Sequence, residues 1–264
     1  MTINYKDTEI TFTDAGRGNV LVLLHGFTES QSIWDGFVAT LSGSYRIVTI
    51  DLPGHGQSGC LGDIHTMEEM AGCVKAVLDH LQISTCVMVG HSMGGYVSLA
   101  FYRLYPDHVK GLGLFHSTAA ADSQEAIEGR NKAITAIRHN HKDFLLQFIP
   151  SLFAPANQTK HQPLIDNLMH EARKMSSQAI IAAQEGMKLR ADSRDMLKNA
   201  SFPILFICGK KDSRIPVDSI LPQIALPKTS YSLILEEAGH MGWAEAHETT
   251  LHMVKLFTEV CYLA

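Results

Sequence analysis

One stretch, Gly90-His91-Ser92-Met93-Gly94-Gly95, constrains this chain more than any other. It follows an apolar run, Cys86-Val87-Met88-Val89, that reads as a buried strand, and precedes residues 96–104, which read as a helix. A Gly-x-Ser-x-Gly pattern between a strand and a helix sets the serine on a turn so sharp that its backbone is strained and its hydroxyl projects into a cleft. The positions two before and two after the serine come too close to the turn to carry side chains, so Gly90 and Gly94 fill them. Gly95 then lets the helix start close to the strand. The competing reading is a glycine-rich turn with an incidental serine; five matching positions in this context argue against it.

The rest of the chain alternates strand and helix around that point. Glu9 to Thr13 alternates in polarity and reads as an edge strand paired antiparallel with Ile3-Asn4-Tyr5. Val20-Leu21-Val22-Leu23-Leu24 is continuously apolar, the mark of a strand buried on both faces, and ends at His25-Gly26-Phe27. A helix is expected over 32–41 and a strand over 45–50. The loop Asp51-Leu52-Pro53-Gly54-His55-Gly56-Gln57-Ser58 follows, and then a helix opened by Thr66 with Glu69 three residues on, a capping-box pattern. After the serine turn, Pro106 ends the helix and residues 109–116 form the next strand. This order predicts an α/β fold: a mostly parallel, doubly wound sheet with helices on both faces. From 117 to about 197 only helical spacing is found, which predicts an inserted all-helical cap over 118–197 on a core of 1–117 and 198–264. Strands return at 204–208 and 231–235, and a helix over 245–260 closes the chain. Gly16-Arg17-Gly18-Asn19 is a turn and lacks the third glycine of a dinucleotide fingerprint.

A serine hydroxyl is a poor nucleophile at neutral pH and needs a base beside it. Histidine suits that task, and a carboxylate fixes its tautomer and steadies the imidazolium. In an open α/β sheet these groups belong on loops at the carboxyl ends of strands. Asp212 stands four residues beyond Cys208 in such a loop; Asp218 competes but falls on the helix after Pro216. Among 14 histidines, His240 is singled out because it follows the last strand. The catalytic set is therefore Ser92, Asp212 and His240. The backbone N–H groups of Phe27 and Met93 are the candidate oxyanion donors, and their side chains are expected to line the pocket. His25, His91, His116 and Arg130 are further pocket candidates. His25 reads better as a loop brace, and His116 better as a wall residue. Arg130, Arg190 and Arg194 are candidates to anchor a substrate carboxylate, against the ordinary reading as solvated cap residues. Trp34 and Trp243 read as packing residues. His139 and His141 are close in sequence but lack an obvious third ligand, so no metal is expected.

These motifs resemble the α/β-hydrolase family in content and in order: Leu23-Leu24-His25-Gly26-Phe27, Asp51-Leu52-Pro53-Gly54-His55-Gly56-Gln57-Ser58, Gly90-His91-Ser92-Met93-Gly94-Gly95, Gly209-Lys210-Lys211-Asp212 and Gly239-His240. The resemblance covers the core and leaves the helical insertion without an assignable motif. It implies a serine hydrolase of the esterase or lactonase kind, acting on a small carboxylic ester, lactone or thioester through an acyl-enzyme, with no cofactor. Members that open epoxides or remove halides use aspartate where Ser92 stands. The alternatives are a carbon–carbon hydrolase or lyase on the same triad, or a ligand sensor that keeps the triad and turns over slowly.

Composition narrows the partners. Of 264 residues 45% are hydrophobic, ample for a large core, and the net charge is −5 with no basic block, which argues against nucleic acid. No apolar run reaches membrane-spanning length, and the first residues lack the charged and apolar regions of a signal peptide. Five widely spaced cysteines without a Cys-x-x-Cys pair suit a reduced chain. A cytoplasmic monomer or homodimer with a small-molecule substrate is expected.

Overall fold

The computed structural model describes residues 1–263. β1 (Thr2–Tyr5) and β2 (Thr8–Ala15) form an antiparallel hairpin with Ile3 opposite Ile10. Lys6 and Asp7 at its tip both have positive φ, the tight turn whose twist matches that of paired strands. β3 (Val20–Leu24) is buried along its whole length. The helix expected over 32–41 is split into a 3₁₀ turn at Gln31–Trp34 and α1 (Asp35–Leu41). Next come β4 (Arg46–Ile50), α2 (Met67–His80), β5 (Cys86–His91), α3 (Met93–Leu104) and β6 (Val109–Phe115).

Between β6 and the next strand the chain makes four α-helices, two 3₁₀ turns and no strand among the described residues: α4 (Gln124–Phe148), α5 (Gln162–Ala172), α6 (Ser177–Lys188) and α7 (Arg194–Asn199), with the 3₁₀ turns at Pro150–Leu152 and Pro155–Asn157. It rejoins the sheet at β7 (Ile204–Gly209), then forms α8 (Val217–Ile224), β8 (Ser230–Leu235), the single-turn α9 (Gly242–Glu245) and α10 (His247–Leu263). The eight strands lie in the order β1-β2-β4-β3-β5-β6-β7-β8, antiparallel at β1/β2 and β2/β4 and parallel from there on.

That order locates the site. From β3 the chain steps outward to β4, then crosses back to β5 and continues the other way. Right-handed crossovers therefore put α1 on one face and α2 and α3 on the other. The direction reverses between β3 and β5, so the loops leaving these two neighbours part and open a crevice at their carboxyl ends. β5 and β7 are buried throughout, and α3 is buried from Met93 to Phe101. No described helix is long and apolar enough to cross a membrane.

Candidate active site

The turn after β5 has the geometry its glycines imply. Ser92 sits at φ 50°, a left-handed conformation that a non-glycine residue adopts only when its surroundings force it. A Cβ on Gly90 would lie 2.2 Å from the Gly94 carbonyl carbon, and one on Gly94 would lie 2.5 Å from the Leu24 oxygen. Any side chain at either place would open the turn.

The structure brings Ser92, His240 and Asp212 together although they lie far apart in sequence. The Ser92 hydroxyl is 2.9 Å from His240 Nε2, and His240 Nδ1 is 2.8 Å from Asp212 Oδ2. An imidazole facing a carboxylate through Nδ1 must donate there, which leaves Nε2 free to accept the serine proton. The other Asp212 oxygen accepts the backbone N–H groups of Arg214 and Ile215 at 2.8 and 3.0 Å. Burial pushes this carboxyl up, but the His240 charge and the His116 and His240 donors outweigh it and hold the group well below the usual carboxylate range. The competitor Asp218 lies in the first turn of α8 and is exposed.

The alpha/beta hydrolase fold family model matches residues 19–246, most of the chain. The chain belongs to the α/β hydrolase fold family. It is 34% identical over 235 residues to the dihydrolipoyllysine-residue acetyltransferase component of the acetoin cleaving system of Pseudomonas putida, a match covering 88% of this chain but only 61% of that relative. It is 28% identical to a pimeloyl-[acyl-carrier protein] methyl ester esterase of Methylococcus capsulatus, over 92% of this chain and 96% of the relative. A thermophilic esterase from Thermogutta terrifontis, solved with malate bound, superposes with a TM-score of 0.91 at 29% identity, over 96% of this chain and 94% of that one.

In this α/β hydrolase Ser92 and His240 open onto a cavity of about 1390 Å³. Phe27, Ser92, Tyr96, Phe148, Leu152 and His240 line it, together with Arg130, Arg190 and Arg194. The Phe27 and Met93 amides take no acceptor among the described residues: Met93 opens α3, where N–H groups lack intrahelical partners, and Phe27 lies in an irregular loop. Phe27's side chain reaches the cavity as expected. Met93's does not; it is fully buried in the core, because the first turn of α3 packs down on the sheet.

Two of the pocket histidines are corrected by the structure. His25 does not line the cavity. Its Nε2 accepts the Leu52 N–H at 2.9 Å and its Nδ1 faces the Gly26 carbonyl at 2.8 Å, so it ties the loop after β3 to the loop after β4. His116 is wholly buried and lies behind the triad, with Nδ1 2.9 Å from Asp212 Oδ2. β6 ends at Phe115, and the left-handed backbone of His116 turns its ring away from the cavity.

His91 does reach the cavity wall, but both its ring nitrogens are engaged. Nδ1 is 2.9 Å from Glu29 Oε2 and Nε2 is 2.9 Å from the His240 carbonyl. Both partners are acceptors, so His91 donates twice and is an imidazolium paired with Glu29. Burial works against its charge, but Glu29 raises its pKa. Burial likewise pushes Glu29 up, yet His91 and the Gly26 N–H bring its pKa down. Glu29 is absent from the sequence-derived set. A glutamate three residues after Gly26 has no periodic signal to mark it as buried; only the fold sets it against His91.

Arg130 lines the cavity as expected, but it is not free. Its Nε is 2.6 Å from Asp122 Oδ2, and Arg190 Nη1 is 2.6 Å from Asp122 Oδ1. Arg190 also stacks on the Tyr96 ring at 4.1 Å. Arg194 pairs with Asp192 at the exposed rim. Trp34 and Trp243 are packed in the core. Among the described residues, the three groups whose ligand atoms cluster tightly enough for a metal are His116, Asp212 and His240. A metal there would need the Nδ1 lone pair of His240, moving the ring proton to Nε2 and leaving nothing to accept the serine proton.

Proposed function

We propose that this α/β hydrolase cleaves a small carboxylic ester, lactone or thioester through an acyl-enzyme on Ser92. The observation that carries the reading is the unbroken hydrogen-bond chain from Ser92 through His240 to Asp212 at the mouth of the cavity. His240 Nε2 takes the hydroxyl proton as Ser92 Oγ attacks the carbonyl carbon. The Phe27 and Met93 amides receive the oxyanion, each worth ~3 kcal/mol of transition-state stabilisation. His240 then protonates the leaving group, deprotonates a water that attacks the acyl-enzyme, and returns the proton to Ser92 as the acid leaves. Asp212 holds the imidazole in the tautomer this needs.

Residues 118–197 act as the cap on the core formed by the remaining residues, and the cap selects the acyl or alcohol part of the substrate. Support comes from α4, whose Ala126, Arg130, Ala133, Phe144 and Phe148 face the same cavity as Ser92. The five free cysteines suit a reducing compartment, and we place the enzyme in the cytoplasm. Hydrolysis of p-nitrophenyl esters from acetate to octanoate by wild type and Ser92→Ala tests the reading. A fall of orders of magnitude in the variant supports it; equal background rates in both proteins would sink it and favour the sensor.

A second reading, a carbon–carbon hydrolase or lyase on the same triad, is favoured by one observation. Arg130 and Arg190 share a single carboxylate, Asp122, so this trio itself carries one net positive charge where it lines the cavity, suited to an acidic group on a substrate. Turnover of a carboxylate-bearing diketone faster than any simple ester would select it.

A further inference from the structure

Asp212 Oδ2 is shared. Besides His240 it faces a second imidazole nitrogen, His116 Nδ1, at 2.9 Å. Ionised Asp212 only accepts, so both rings donate to one oxygen while two backbone amides occupy the other. His116 is built for this contact. Its backbone is left-handed at φ 47°, and its ring stacks beside Phe115 with centroids 5.5 Å apart and planes inclined by 27°. Its Nε2 is buried with no partner among the described residues. Gly242, the first residue of α9, makes room for the ring: a Cβ there would stand 2.3 Å from His116 Nε2. A second proton on that nitrogen would be buried and unsolvated, so the ring stays neutral with its one proton on Nδ1. Burial holds it neutral against the pull of Asp212. The titratable groups facing it are Asp212 after β7, His240 after β8 and His91 at the end of β5.

We infer that His116 is a positioning residue for the triad, whose Nδ1–H fixes the Asp212 carboxylate and draws off part of its charge, so that His240 holds a proton less firmly and stays competent as a base to lower pH. A neutral donor on that oxygen lowers the electron density it offers to the second ring; without the donor, a protonated His240 is held more firmly. The inference rests on His240 being the base, and the test reads His240 directly.

The test is an imidazole-nitrogen NMR titration of wild type, His116→Asn and His116→Leu. Asn Nδ2 occupies the place of His Nδ1 on the same Cγ, and asparagine tolerates the left-handed backbone; leucine removes the donor. In the wild type His116 is expected neutral and protonated on Nδ1. In H116L the His240 midpoint is expected to rise by about one pH unit, and in H116N to stay at the wild-type value. The pH dependence of Ser92 sulfonylation by phenylmethanesulfonyl fluoride should follow the same order. A wild-type proton on His116 Nε2, an unmoved midpoint in H116L, or equal shifts in both variants would overturn the inference. Should H116L not fold, His116→Gly, which removes the donor and suits the left-handed backbone, takes its place with the same expected rise. The expected midpoints without any sulfonylation of Ser92 would support the role of His116 and defeat the hydrolase reading instead.

Discussion

At the residue scale, buried ionisable groups lie close around the proposed triad, and their charge states follow from who donates to whom. Asp212 is the most constrained, with four donors on two oxygens. Asp212→Asn presents a neutral amide to His240 and invites the wrong tautomer; a fall in kcat of ~10⁴ is expected from steady-state kinetics, with the fold retained. The Glu29–His91 pair gives a separate prediction. The Glu29 pKa is lowered on folding, so its contribution is present above the unfolded value of about 4.5 and is lost as pH falls through the folded one. The His91 pKa is raised, so its contribution is complete below the unfolded value of about 6.5 and is lost as pH rises through the folded one. Both hold between those two values. Glu29→Gln, which strands the imidazolium, should cost ~3 kcal/mol in urea unfolding at about pH 5.5, and less as the pH is raised far enough to neutralise His91.

At the scale of elements, caps and kinks set where helices begin and how they lie. Thr66 opens α2 by accepting the Glu69 N–H at 3.1 Å, as the Thr-x-x-Glu pattern implied. Thr66→Ala should lower stability by ~1 kcal/mol in denaturant unfolding. The insertion shows where local pattern falls short. Helical spacing marks both 126–137 and 144–148, but nothing in it says that α4 bends between them. Asn140 leaves helical geometry at φ −159°, ψ 97°, and its Oδ1 accepts the N–H groups of Lys142 and Asp143. It thereby caps the second segment, and the bend brings Phe148 against Phe27 with their rings 5.6 Å apart, while Phe144 stacks on Phe148 at 5.2 Å.

At the scale of the whole molecule, one side chain ties the loop of His240 to the insertion. Glu245 Oε1 accepts the Gly239 and Met241 N–H groups, and its Oε2 accepts the Ala154 N–H and the Asn157 side chain. The His240 N–H itself donates to the Leu152 carbonyl at 2.7 Å. His240, the proposed base, therefore depends for its position on the segment between α4 and α5 as well as on the sheet. Glu245→Ala is expected to reduce kcat by ~10-fold or more and to raise local hydrogen exchange at 150–158 and 239–242, while the far edge strands β1 and β2 keep their protection.

What the sequence determined by itself was whatever is written in neighbouring residues: the strained serine turn, the buried strands, the capping of α2, and the loops carrying Phe27, Asp212 and His240. Each of these signals spans only a few residues, because sterics and hydrophobic period act locally. The meeting of Ser92, Asp212 and His240 was also legible, since parallel strands deliver the loops at their carboxyl ends to one edge of the sheet. Tertiary structure alone decided the rest. His25, His91 and His116 look alike in the sequence, each just past or at the end of a strand, yet they brace a loop, pair with Glu29 and share Asp212. Those roles turn on which acceptor lies within about 3 Å of a ring nitrogen, a distance fixed by the packing of strands and loops remote in the chain.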